Sequence, residues 1–243
     1  MSYIGKVPTS VPLTSSDIAD GIISNAKLAQ DIISADTALG ATPADTDEFL
    51  VSDAGTLKRM DYSHIKAGGA WNHLETQTAS SSALIEFDTD QITSAYSVYK
   101  IIISHLVPSA VGPTTEMFCQ FKHGGSYVTS GYGFSSFHHV ESSSSAFNGA
   151  ASASASAVQI TSDNLGGDTG ENSHWELTLD DPLGTANDKI IWGSGGQVNH
   201  DNRYSRESTV GGSAVVTAID AIKFYMESGD FESGKFSIYG LTT

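Results

Sequence analysis

The chain has 243 residues and a mass of 25.5 kDa, which is enough for one well-packed domain and a smaller module. Its 12 basic and 28 acidic residues give a formal net charge of −16, which repels the phosphate backbone, so no nucleic-acid partner is expected. The single cysteine, Cys119, excludes an internal disulfide and a multi-thiolate metal site. Neither an apolar run of about 18 residues nor a secretory-signal pattern in residues 1–11 is present, so membrane insertion and export by that route are not expected.

Residues 1–40 predict an attachment arm and a short stalk. Pro8 and Pro12 hold the start of the chain extended and deny it regular hydrogen bonding. Further on, Gly-Ile-Ile-Ser at 21–24 recurs as Asp-Ile-Ile-Ser at 31–34, a repeat that buries little unless equivalent segments of other chains cover it. A second interpretation is one amphipathic helix that starts at a serine or aspartate cap, and both interpretations stay open.

The next segment predicts a small connecting module, residues 41–70. Residues 48–52 and 56–60 are strand-like and flank the turn sequence Asp-Ala-Gly at 53–55. A two-stranded unit is marginal by itself, so this module needs a partner surface. The small residues and paired glycines of 66–70 predict a linker, and we place the domain boundary there.

Residues 71–243 predict an antiparallel β-sandwich, jelly-roll-like, that follows the extended or partly helical arm. Charged residues make up only 16% of the chain against about 25% in most soluble domains, and turn residues recur at short intervals. The apolar run at 98–104 predicts a central strand covered on both faces. The predicted strands before the C-terminal segment are 84–87, 98–106, 117–122, 131–137, 157–161, 175–179, 189–192 and 214–217.

Two low-complexity runs lie between these strands, the serines of 142–145 and the alternating alanines and serines of 151–156. The alternating alanines and serines of 151–156 favour a loop, although the period of two also fits a strand packed closely against another backbone. The sequence Gly-Ser-Gly-Gly at 193–196 predicts a turn after Trp192. We expect Trp192 and Trp175 to pack in the core, since both lie inside apolar strands. Cys119 is expected to be a buried small hydrophobe.

Residues 218–241 predict a β-hairpin that closes the domain. Apolar and polar residues alternate on both sides of the turn-forming stretch 228–234. Phe224, Phe236 and Ile238 are the expected core positions of its two strands. We therefore expect truncation before residue 218 to unfold the β domain.

Several segments of the chain resemble tail-fibre or receptor-binding virion proteins of tailed bacteriophages. The resemblance rests on Met-Ser-Tyr-Ile-Gly at 1–5 with residues 14–23, on Glu-Phe-Leu-Val-Ser-Asp-Ala-Gly-Thr-Leu-Lys-Arg at 48–59, and on the closing segment 221–241. The spacing from residues 96–101 to 124–127 is similar to that of the same family's sandwich domain.

This resemblance implies a virion protein that is made in the host cytoplasm and assembles as a homotrimer. It implies an N-terminal anchor on other tail or portal-proximal proteins and a distal β domain that recognises a host cell-surface glycan or protein. The expected anchoring residues are the apolar positions of the arm, Tyr3, Ile4, Val7, Val11, Ile18, Ile22 and Ile23. Two alternatives are a virion decoration protein without a host ligand and a glycan-degrading tailspike enzyme.

Candidate ligand-binding residues follow from the chemistry of sugar recognition, which uses aromatic faces and planar polar side chains. One predicted exposed loop supplies such groups, and two tyrosines around Gly131 supply others. These residues are Asn199, His200, Asp201, Asn202, Arg203 and Tyr204 in the loop, with Tyr127 and Tyr132 elsewhere.

Catalytic and metal sites are not predicted. A glycosidase needs two carboxyl groups that face each other, whereas adjacent Asp180 and Asp181 point to opposite faces of a strand. His138 and His139 diverge in the same way, so they would share an ion only between subunits. Residues 163–168 lack the spacing of a calcium loop. We expect no catalytic residues, no cofactor and no bound metal.

Overall fold

A computed structural model describes residues 14–19, 37–65, 71–112, 114–141 and 147–241. The chain divides by its internal contacts into two units, Met1–Ala67 and Gly68–Thr243, which we describe separately. The division falls within the predicted linker at 66–70, whose residues lie outside the described ones. Most of the predicted arm and stalk also lies outside them, including every expected anchoring residue except the exposed Ile18.

The N-terminal unit contains the predicted hairpin. Strand β1 (Glu48–Asp53) pairs antiparallel with β2 (Thr56–Asp61). Between them Ala54 and Gly55 both have positive φ, 49° and 86°, as a tight turn with the twist of a two-residue hairpin requires. A 3-10 helix, Tyr62–His64, follows. Most side chains of both strands are exposed, so the hairpin has no core of its own.

The β domain consists of antiparallel strands in two sheets. The strands are β3 (Trp71–Ser82), β4 (Ile85–Phe87), β5 (Val98–Pro108), β6 (Met117–His123), β7 (Ser126–Tyr127), β8 (Tyr132–Val140), β9 (Phe147–Ala155), β10 (Val158–Gln159), β11 (Ser173–Asp180), β12 (Lys189–Val198), β13 (Tyr204–Ser213), β14 (Ala221–Met226) and β15 (Phe231–Leu241). The large sheet has the order β3-β15-β5-β11-β12-β13-β8-β9, and the small sheet has the order β10-β6-β14-β4, with β7 paired to β6.

This strand order is that of a jelly roll with two insertions. When β7, β8, β9, β12 and β13 are set aside, four strands remain in each sheet, in the order β3-β15-β5-β11 in the large sheet and β4-β14-β6-β10 in the small sheet. The first and last of them, β3 and β15, are neighbours in the large sheet, and the second and second-to-last, β4 and β14, are neighbours in the small sheet. This confirms the predicted mainly β, antiparallel, sandwich-like fold. The insertions extend the large sheet beyond β11.

The hydrophobic core lies between the two sheets. On β5 the side chains of Tyr99, Ile101 and Ile103 are fully buried and alternate with half-buried ones, so this central strand is fully covered on one face only and not on both as predicted. Trp175 on β11 is fully buried, as predicted. Cys119 on β6 is also buried, as predicted, and burial raises the pKa of its thiol.

The predicted closing hairpin is wrong in its pairing. Strand β14 pairs with β4 and β6 in the small sheet, whereas β15 pairs with β3 and β5 in the large sheet. The two strands therefore face each other across the core and do not share a ladder. Their expected core positions are nevertheless buried, since Phe224, Phe236 and Ile238 are all without exposed surface. Alternation identifies the buried face of a strand but not its neighbour.

Three further local predictions are also wrong. Residues 151–156 belong largely to strand β9, which pairs with β8, and are not the favoured loop. Residues 193–196 continue β12 and do not turn, because the glycines let neighbouring strands and core side chains approach closely. Residues 214–217 follow the end of β13 and form no strand. No helix in the described parts of the chain has the length and apolarity needed to cross a membrane.

Candidate functional site

The predicted ligand-binding loop joins β12 to β13 at one end of the large sheet. Asn199 is buried and organises it. Its Oδ1 accepts hydrogen bonds from the backbone N–H of Asp201 at 3.2 Å and of Arg203 at 3.0 Å, and its Nδ2 donates to Asp163 Oδ2 at 2.8 Å. Asn199 therefore shapes the loop and has no free surface for a ligand. The exposed members of the loop are Asp201, Asn202, Arg203 and Tyr204, the last with 72% of its surface exposed.

A buried polar network supports this loop from below. Glu207 Oε2 accepts hydrogen bonds from the backbone N–H of Ser162 at 2.6 Å and of Asp163 at 3.2 Å, and Gln197 Nε2 donates to Glu207 Oε1 at 2.6 Å. Burial raises the pKa of Glu207 to about 8 against the opposing effect of the N–H donors. Glu207 is only 1% exposed, so a substrate does not reach it. The network holds residues 162–163 against the inner face of β13 and fixes Asp163 for its bond to Asn199.

His200 is the remaining loop residue. Its ring is half-buried, with Nε2 at 3.6 Å from Asp201 Oδ1. Its Nδ1 is buried and accepts or donates no hydrogen bond. The ring therefore packs partly into the domain.

The structure does not bring the two candidate tyrosines into this loop. Tyr132 is fully buried, and its hydroxyl accepts a hydrogen bond from the backbone N–H of Phe121 at 2.7 Å, so its prediction as a ligand contact is wrong. Tyr127 lies on β7 of the small sheet and donates its hydroxyl to Glu86. Burial, followed by this bond, raises the pKa of Tyr127. Lys223 Nζ lies 4.0 Å from the Tyr127 ring centroid and covers part of the ring.

Asp180 and Asp181, expected on opposite faces of a strand, line one pocket; β11 ends at Asp180, and Asp181 has a positive φ of 40°. The other carboxyl and imidazole groups weighed for chemistry lie elsewhere. Asp163 and Glu171 are buried, and Glu171 Oε2 accepts a hydrogen bond from the backbone N–H of Asp168 at 2.7 Å. His138 faces the interior, with Nδ1 at 3.0 Å from Ser162 Oγ, whereas His139 packs beside an exposed phenylalanine on the other face of β8. Within the residues that the structure describes, no group of three or more His, Cys, Asp or Glu side chains is arranged to hold a metal ion.

A cleft that the sequence did not predict lies on the outer face of the large sheet. We call it the tryptophan cleft. It has a volume of about 480 Å³ and lies over β5, β11 and β12. Trp192 is 53% exposed, so the prediction that it packs in the core is wrong. The cleft is lined by Trp71, Val98, Lys100, Glu176, Thr178, Trp192, Gly193 and Ser194.

The strand register explains why Trp192 points outward. Its neighbour Ile191 pairs with the buried Leu179 and occupies the inward position, and successive residues of a strand point to opposite faces. Both Ile190 and Ile191 are apolar, so the sequence alone does not show which set of alternate positions is buried. Further exposed apolar side chains on the same face are Ile190, Val210, Phe137 and Phe147.

These observations define the class of protein as a jelly-roll β domain whose large sheet carries an exposed aromatic cleft. Comparison of the chain with known proteins found no matching family model, no similar curated protein and no similar solved structure.

Proposed function

We propose that the chain is a non-enzymatic virion protein of a tailed bacteriophage, a tail fibre or spike that attaches the particle to its host. The N-terminal segment anchors the chain to other tail or portal-proximal proteins. The chain works as a homotrimer and presents its β domain to a host-surface glycan. The sequence resemblance supports this assignment, and one structural contrast carries it.

That contrast is between the two units of the chain. The β1–β2 hairpin exposes 75% of Leu50 and 68% of Leu57, side chains that cost free energy when they stay in water. The β domain, in comparison, has a complete core between two sheets. A hairpin without a core needs cover from other subunits, whereas the β domain folds around its own side chains. An attachment protein combines these features, an assembly-dependent base and an independent binding domain.

The proposed role is binding without catalysis. The buried carboxyl groups Asp163, Glu171 and Glu207 accept hydrogen bonds that shape loops and have little exposed surface. A glycosidase needs two accessible carboxyl groups across the scissile bond, so the exposed Asp180 and Asp181, which line one pocket, are the pair to test. This part of the proposal would be contradicted if the unaltered chain released reducing sugar from a host polysaccharide and the Asp180→Asn or Asp181→Asn variant did not.

Binding of the fluorescently tagged full chain to bacterial cells tests the proposal. The expected result is saturable binding to a subset of strains in a panel, with competition by the untagged chain. Bovine serum albumin with the same tag is the control for non-specific adsorption. Absence of saturable binding to every strain would contradict a host-attachment role and favour a decoration protein of the same fold.

A further inference from the structure

We propose that the tryptophan cleft is a binding site for a neutral, hexose-containing glycan. This inference rests on the proposed attachment function and deepens it, because it assigns the ligand to the outer face of the large sheet. The loop 199–204, which the sequence predicts as the ligand-binding site, is not part of this cleft, and its shape is set by the buried Asn199.

Two tryptophans line the cleft, and an indole ring can contact the flat face of a sugar. Indole faces carry partial negative charge and attract the C–H groups on one side of a hexose ring. Trp192 leaves about half of its surface open, 53%, although it lies in the middle of the large sheet. Trp71, at the end of β3, closes the opposite side of the cleft and is held by Lys100, whose Nζ is 4.9 Å from the Trp71 ring centroid.

The floor of the cleft is narrow and polar. Thr178 pairs with Lys100 on one side and with Trp192 on the other, so the three side chains form one row across β5, β11 and β12. Neighbouring strands are about 4.8 Å apart, which places the backbones of Lys100 and Trp192 about 10 Å from each other. The small Thr178 between two large side chains leaves a gap that a hexose ring fills.

Polar groups surround this gap with both donors and acceptors. Lys100 Nζ donates to Glu176 Oε1, and 53% of the Glu176 side chain stays exposed. The hydroxyl of Ser194, opposite Glu176 in the register, lines the same cleft. Sugar hydroxyls donate and accept hydrogen bonds at once, so a carboxylate, an ammonium group and hydroxyls together match them.

The charge of the cleft selects a neutral ligand. Glu176 offsets the charge of Lys100, so the ion pair gives the cleft no net positive charge. The exposed Asp180 pairs with Val98, a lining residue, and adds negative charge near the cleft. The chain as a whole carries a formal charge of −16. Anionic glycans are therefore repelled, and neutral hexose chains are the class that fits.

Calorimetric titration of the full chain tests this site. The probes are cellohexaose, maltohexaose and mannohexaose, with polygalacturonate as the anionic comparison. The expected result is binding of at least one neutral oligosaccharide, no binding of polygalacturonate, and affinity at least about tenfold weaker in Trp192→Ala. Phe147→Ala is the matched control, since Phe147 is an exposed aromatic on the same sheet face but outside the cleft. Its affinity should equal that of the unaltered chain.

The outcomes separate this inference from the attachment function. If the chain binds bacterial cells and Trp192→Ala binds them equally well, the site is wrong and attachment stands. If no neutral oligosaccharide binds, or if polygalacturonate binds more tightly, the inference is overturned. Light scattering on Trp192→Ala adds a further check, because a loss of oligomer mass would show that the cleft is a subunit interface and would also overturn the inference. If neither cells nor oligosaccharides are bound, both proposals fall.

Discussion

The rings of Phe224 on β14 and Phe236 on β15 lie with their centroids 5.9 Å apart, one in each sheet of the β domain. Both side chains are fully buried. Consecutive strands of the chain thus supply opposite walls of the core, and the short connection between them carries the chain from one sheet to the other. This contact joins the C-terminal segment to both walls of the core.

Phe236→Ala should lower the free energy of unfolding by about 3–5 kcal/mol, because it removes a buried ring and leaves a cavity against Phe224. Denaturant unfolding followed by tryptophan fluorescence measures this change. The control is Phe147→Ala, which removes a ring that is 71% exposed and should change stability by less than about 0.5 kcal/mol. Truncation before Ala218 should abolish the transition altogether. A truncated protein that unfolded cooperatively would overturn this view of the C-terminal strands.

Two adjacent glycines of β12 should respond differently to the same substitution. A Cβ added to Gly195 would lie 2.4 Å from Trp175 Cδ2 and 2.6 Å from the His174 carbonyl oxygen. A Cβ on Gly196, on the other face, would have its nearest neighbour at 3.7 Å. Gly195→Ala should therefore destabilise the domain by about 1–3 kcal/mol, and Gly196→Ala by less than about 0.5 kcal/mol. Equal thermal stabilities of the two variants would contradict the register of β12.

The stability of the β domain should depend on pH through Glu207. Burial raises the pKa of Glu207 from 4.5 to about 8. Between these two pH values the Glu207 carboxyl group is protonated in the folded state and ionised in the unfolded state. The free energy of unfolding should therefore fall as pH rises from 4.5 through 8, by at most about 1.4 kcal/mol per pH unit from this group. Glu207→Gln removes the titration and keeps the shape.

Chemical denaturation at several pH values, on the unaltered chain and on Glu207→Gln, measures this dependence. The difference between the two curves isolates Glu207 from other groups, such as Glu116, whose pKa burial raises to about 7. We expect the variant curve to be flatter between pH 4.5 and 8. Parallel curves would show that Glu207 does not keep its proton in the folded state.

The N-terminal hairpin should contribute to trimer formation. Leu50 and Leu57 lie on the same face, since Leu57 pairs with Ser52, two residues after Leu50 on β1. The trimer of the double variant Leu50→Ser with Leu57→Ser should be weaker. Light scattering should show it dissociating at protein concentrations at which the unaltered chain is still a trimer. Leu84→Ser, an exposed leucine of the β domain, is the control and should leave the mass unchanged. A stable monomer of the unaltered chain across a wide concentration range would contradict trimer formation.

The sequence predicts the strands best where one face is apolar. Tyr99, Ile101 and Ile103 mark β5, and the β11 alternation around Trp175 is equally clear. Strand β3 has the sequence Trp-Asn-His-Leu-Glu-Thr-Gln-Thr-Ala-Ser-Ser-Ser, which is polar over most of its length, and only Ala79 in it is fully buried. No apolar period therefore indicates this strand in the sequence. The glycine-rich stretch 193–196 of β12 predicts a turn when it is considered alone, although its small residues allow close packing between strands.

The candidate site was harder to predict than the fold. Trp175 alternates with the polar His174 and Glu176 and is fully buried, whereas Trp192 follows two isoleucines and is exposed. For Trp192 the register between β11 and β12 decides which positions are buried, and this relation between distant residues is not contained in a local pattern. Tyr132 is the opposite case. It lies between two glycines in the sequence, which suggests an exposed turn, but its side chain is fully buried in the core.

We propose that the N-terminal segment holds this chain on a virion while the β domain faces the host. A reconstruction of a virion that carries the chain tests it most directly. We predict density for three copies of a 25.5 kDa chain, attached through their N-terminal residues, with the β domains at the outer end. Density in which the β domains pack against the particle and the N-terminal residues point outward would contradict the account.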